Sequence, residues 1–170
     1  MATRTPARKK PAEPAPAPDP ATRVLRRFRL VFNAVKSHFR AVETKAGISG
    51  AQLWALSVVA ARPGIGVGEL ARAMDIHQST ASNLLRVLVD GKLVLAERGG
   101  EDRRAVQLQA TPRGAKVLAK APGPFSGVLP EALARLDQRT LARLDRDLAA
   151  LIEELGVDAR AAGIPLSEEP

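Results

Sequence analysis

Between Thr22 and about Lys45, Val24, Phe28, Val31, Val35 and Val42 recur at multiples of three or four residues, with His38 in the slot between the last two. That spacing lays apolar side chains along one face of a helix, and Phe32 and Phe39 widen the stripe. Arg23, Arg26, Arg27, Arg29, Lys36 and Arg40 fall on the other faces, and Gly47 marks the end. Ser49 with Gln52 makes a capping box for a second helix, Gly50 to about Ala61. Its Leu53, Trp54, Leu56, Val58 and Val59 point to nearly every side, which predicts burial. "RPGIG", residues 62–66, breaks it. A short third helix over 67–74 turns Val67, Leu70, Ala71 and Met74 inward, and Asp75 turns the chain.

Two stripes run in parallel through 76–90. Ala81, Leu84, Leu85 and Leu88 define one, and Ser79, Ser82, Asn83 and Arg86 define the other. At about 3.6 residues per turn they lie on opposite sides of one helix. After Asp90-Gly91 the period changes to that of strands. "LVLAER" and "AVQLQA", with Val106 and Leu108 on one face and Gln107 and Gln109 on the other, flank the turn signal "GGED" and predict a β-hairpin. Thr111-Pro112 then starts a helix, with Thr as N-cap and Pro at the first position, which fades at "PGP", residues 122–124. The rear is helical again, with Asp137 as N-cap of 138–155 and a heptad seam of Leu141, Leu144, Leu148, Leu151 and Leu155. Such a seam calls for a partner helix. The last residues, from 157 to 170, carry little pattern and are expected to fray.

Charge adds to this picture. Residues 1–120 hold 21 Lys and Arg against 9 Asp and Glu, and residues 121–170 hold 5 against 9. A basic front on a chain of net charge +8 suggests that the front faces a polyanion. Residues 1–21, with six prolines and the basic cluster Arg8, Lys9 and Lys10, read as a disordered tail. The 170 residues are thus expected to form one domain with tails. Without cysteine there is no disulfide framework, thiol sensor or thiolate zinc site, and His38 and His77 are too few and too far apart for a histidine metal centre. No cofactor is expected. The longest apolar run, Leu53 to Ala61, is interrupted by Ser57 and falls short of a membrane span. No signal peptide is visible, so a cytoplasmic protein is expected.

The polar stripe explains why poor helix formers open a well-patterned helix. Gln78, Ser79, Thr80, Ser82, Asn83 and Arg86 are groups that read base edges and phosphates, and in a helix-turn-helix the front of the second helix enters the major groove. The preceding short helix and tight turn supply the first half of that motif. Arg103 and Arg104 project from the hairpin tip, where an arginine can enter a narrow minor groove, and Asp102 is placed to pair with an arginine and aim it.

The segments "LARAMDIHQSTASNLLRVLVDGKLV" and "ERGGEDRRAVQLQATPRG" resemble those of the MarR family of winged helix-turn-helix transcription regulators, over residues 22–156. Asp102-Arg103-Arg104 fits the family's Asp-x-Arg wing motif, which would make Arg104 the minor-groove arginine and Asp102 its partner. The strand ends in Ala110-Thr111 instead of Leu-Thr, Asp75 replaces the glycine of the turn, and Gly91 lies one position before the usual glycine. The resemblance implies a mainly α fold with a small β-hairpin, with the winged helix-turn-helix over about 47–120. It also implies a homodimer whose terminal helices, about 23–45 and 126–155, interlock. The function implied is a repressor of pseudo-palindromic double-stranded DNA, released by a small aromatic or phenolic effector. By analogy Phe32, His38 and Trp54 border the effector pocket; packing in the core or dimer is the other role open to them. An enzyme is not expected, since no nucleophile–base pair, paired carboxylates or phosphate-binding glycine loop stands out. A winged-helix protein-interaction module and a sequence-indifferent architectural DNA binder remain as alternatives.

Overall fold

The computed structural model describes residues 19–98, 106–158 and 162–166. Nine elements follow in order: α1 (Pro20–Ala46), α2 (Gly50–Ala61), α3 (Val67–Met74), α4 (Gln78–Asp90), β1 (Val94–Arg98), β2 (Val106–Ala110), α5 (Pro112–Lys120), α6 (Val128–Ala134) and α7 (Gln138–Leu155). Local chemistry sets most of the boundaries. Asp19 accepts from the Thr22 amide and Pro20 opens α1, slightly ahead of the sequence expectation, and Gly47 closes it in the left-handed conformation. Ser49 and Gln52 form the reciprocal capping box of α2. Thr111 caps α5 and Asp137 caps α7.

The core is centred on α2. Leu53, Ala55, Leu56 and Val59 are fully buried, and Leu70, Met74, Leu84, Leu88, Val94 and Leu108 close around them from α3, α4 and the hairpin. β1 and β2 pair antiparallel from Val94↔Ala110 to Arg98↔Val106. A third strand position went unread in the sequence: Ile65, expected only to break a helix, bridges to Leu108. Gly64 donates to the Leu108 carbonyl at 2.8 Å, and the Leu108 amide donates to Ile65 at 3.1 Å. The loop between α2 and α3 therefore grips β2 at its middle residue.

Three further differences concern the ends of elements. The rear segment 126–155 is two helices, parted at Arg135–Asp137 because Asp137 starts a new cap. The left-handed residue after α4 is Lys92 (φ 57°), while Gly91 is right-handed (φ −72°). Residues past Gly156 were expected to fray. Yet Gly163, Ile164 and Pro165 are half-buried, and the Gly163 carbonyl accepts from the His77 amide at 3.4 Å. Among the described residues no helix is long and apolar enough to cross a membrane.

The apolar stripe of α1 is covered only in its second half. Val35 and Val42 are buried, whereas Val24, Val31 and Phe32 are exposed. On α7 no residue is buried: exposure along the seam runs from 37% at Leu144 to 63% at Leu155, and Leu141 is half-buried.

Candidate nucleic-acid interface

The turn between α3 and α4 is Asp75-Ile76-His77. It needs one left-handed residue, and Asp75 supplies it at φ 52°, ψ 47°; a short polar side chain tolerates that conformation better than most. The Asp75 amide returns to the carbonyls of Ala71 and Arg72, and Ile76 donates to Ala71 at 3.0 Å. The turn is thereby closed on α3, and it fixes the direction in which α4 leaves.

α4 is divided as its two stripes predict. Ala81, Leu84, Leu85 and Leu88 are buried. Gln78, Ser79, Ser82, Asn83 and Arg86 are exposed, and Thr80 is half-buried on the flank. From Ser79 to Arg86 the outward strip extends about 10 Å, at about 1.5 Å per residue. Ser82 Oγ donates to the Gln78 carbonyl at 2.8 Å, so its lone pairs face outward as acceptors. No side chain caps the first turn of α4, in contrast to α1, α2, α5 and α7. A helix start of that kind presents amides and the positive end of the dipole to an anion. Asp90 is exposed at the far end of the same strip, which disfavours phosphate there and points to contact through the front of the helix.

The hairpin leaves the body beside α4. Its tip, with the predicted Asp102, Arg103 and Arg104, lies outside the described residues. Its base centres on a residue whose tertiary role the sequence did not reveal. Thr111, 9% exposed, does more than cap α5 by accepting from the Gly114 amide at 3.0 Å. Its hydroxyl also donates to the Lys92 carbonyl at 2.8 Å, and its amide donates to Leu93 at 3.0 Å. One side chain joins the end of the α4 segment, the start of β1 and the start of α5. Gly114 is required there, because a Cβ would lie 2.3 Å from the Leu93 carbonyl oxygen.

Beside the helix-turn-helix lies a cavity of about 240 Å³. His38 of α1 and Trp54 of α2 line it, as does the turn residue Ile76. Phe32 does not: it is 57% exposed and stacks on Phe28, while Phe39, two helical turns further on, lines the wall. Among the described residues no three His, Asp or Glu side chains gather as a metal site.

A helix-turn-helix followed by a two-stranded hairpin, with Ile65 bridged to it, defines a winged helix-turn-helix. The family model described as "MarR family" matches residues 46–105. A protein of Thauera aromatica, named for transcriptional regulation of the hcr operon, is 30% identical over 120 residues, covering 70% of this chain and 68% of its own length. The chain belongs to the MarR family of transcription regulators, which are not enzymes. Solved structures share the fold. A MepR-like protein complexed with pseudoligands matches with TM-score 0.54 at 18% identity, over 79% of this chain and 92% of that one. An S. aureus MepR–DNA complex matches with TM-score 0.53 at 18% identity, over 81% and 99%.

Proposed function

We propose that the chain is a homodimeric, sequence-specific repressor acting in the cytoplasm. In this reading each α4 enters one major groove of a pseudo-palindromic operator, and Arg104, aimed by Asp102, enters the adjacent minor groove. The observation that carries it is the outward strip of α4, with small hydrogen-bonding side chains and an arginine. The DNA complex of a protein with the same fold supports it.

The dimer is supported by the uncovered seam of α7 and the uncovered first half of α1. α1 exposes Arg26, Arg27 and Arg29, and α7 exposes Arg139, Arg143 and Arg146 as well as the acids Asp145, Asp147, Glu153 and Glu154. A second copy can cover the apolar seam, and the acids of its α7 can pair with the arginines of α1. Release by a small aromatic or phenolic effector is supported by the cavity, whose wall includes Asp75 and Ile76 of the turn that orients α4.

Fluorescence anisotropy with DNA from the gene's own upstream region, against random DNA, tests the reading. Asn83→Ala and Arg86→Ala should each lose about 1–3 kcal/mol on the preferred site, with a smaller loss on random DNA. Equal losses on both would reassign these residues to phosphate contacts. Equal affinity of the unaltered protein for both DNAs would favour an architectural binder.

A further inference from the structure

One wall of the cavity is built by the chain's own C-terminal segment. Ala162, Ile164, Pro165 and Leu166 form part of its lining, together with Trp54 and His38. Between them Gly163 sits on the N-cap of α4. Its carbonyl takes the His77 amide, and it lies so close that a Cβ there would fall 2.5 Å from two atoms of the His77 ring. Five residues thus touch two things at once, the inside of the cavity and the residue that begins the DNA-facing helix.

We propose that residues 162–166 are a strap that seals the cavity, and that a molecule entering must displace it and thereby loosen the N-cap of α4. The half-buried apolar members, Ile164 and Pro165, are the seal, and an apolar molecule taking their place gains the surface they leave. Gly163 is the link, since His77 donates its amide to that carbonyl, and the absence of a side chain permits the approach. When the strap leaves, the amide loses its partner and the imidazole its neighbour, so occupancy is transmitted to α4 without any change in the core. The bearing of this device on transcription rests on the regulatory reading above, but its test uses no DNA, so either can fail alone.

The probe is 1-anilinonaphthalene-8-sulfonate, read with the full chain. Gly163→Val forces the His77 ring or the strap aside, and Ile164→Asp removes an apolar anchor at a half-buried position outside the core. Thermal melts monitored by circular dichroism identify any variant that fails to fold, and the other then decides. Acrylamide quenching of Trp54, the single tryptophan, should at least double in either variant, and the probe should bind at least threefold more tightly. In wild type, saturating probe should shift the His77 amide resonance in the direction that Gly163→Val shifts it. Unchanged quenching and probe affinity in a folded variant would overturn the seal. A His77 amide that does not respond to bound probe would overturn the link.

Discussion

Replacing Thr111 by valine should destabilise the fold by about 2 kcal/mol. The substitution keeps the shape and removes one hydroxyl, so only hydrogen bonds are at stake. Two are lost. The Lys92 carbonyl belongs to an exposed residue and can be rewetted, so the donated bond accounts for about 0.5–1 kcal/mol. The Gly114 amide is different. It is buried, and the Leu93 backbone is packed so tightly against Gly114 that even a methyl group has no room, so water cannot replace the hydroxyl. A buried donor left without a partner costs about 1–3 kcal/mol, in line with the typical loss of an N-cap. Urea unfolding at fixed protein concentration, followed by circular dichroism and by Trp54 fluorescence, measures the sum; the concentration is fixed because dimerisation adds to apparent stability. A change of this size should lower Tm by about 4–8 °C in a chain of this length. Thr111→Ser retains the hydroxyl and its contacts and should recover most of the loss. A valine variant within about 0.5 kcal/mol of wild type would refute the reasoning, because it would mean that the Gly114 amide finds another acceptor.

Changing Leu144 and Leu148 together to Asp places charges in the proposed dimer seam, which should cost several kcal/mol; sedimentation should show monomer or unfolded chain, and an unaltered dimer would place the seam elsewhere. Arg104→Ala should weaken operator binding and make its salt dependence shallower. Asp102→Ala should also weaken binding although it removes a negative charge, because a freed arginine loses more entropy on DNA; tighter binding in a titration at fixed salt would end the aiming role. The double variant should be no worse than Arg104→Ala alone. The Asp137 carboxyl is held below its ordinary value of 3.8 by the Thr140 amide first and the Thr140 hydroxyl second. Its cap is fully present above that value and is lost as pH falls through the lowered one. Circular dichroism should therefore show Asp137→Asn less sensitive to acid than wild type below about pH 4.

What was legible in the chain was local. The Ser49–Gln52 box, the Thr111 and Asp137 caps and the turn at Asp75 involve residues within a few positions of one another, and each follows from side-chain chemistry. The two faces of α4 were equally plain, since burial and exposure follow one helical period. What escaped depended on distant partners. Ile65 reads as loop between two glycines until Leu108 is beside it. Phe32 and Phe39 lie a heptad apart on one face, so periodicity cannot tell which of them reaches Trp54. The C-terminal segment has no period at all, and only its contacts with His77 and the cavity give it a place. Lys92 rather than Gly91 takes the left-handed angle because the α4 helix runs on through Asp90 and the reversal comes one residue later.

The bridge between Ile65 and Leu108 turns the hairpin into a lever with a fixed fulcrum. Leu108 is the third of the five residues of β2, so about 7 Å of strand lies beyond the bridge at about 3.4 Å per residue, and a tilt of about 10° there carries the end at Val106 about 1 Å. The short loop between α2 and α3 thus sets the direction in which β1 and β2 leave the body, and a change there can redirect them while the strands' own residues stay the same.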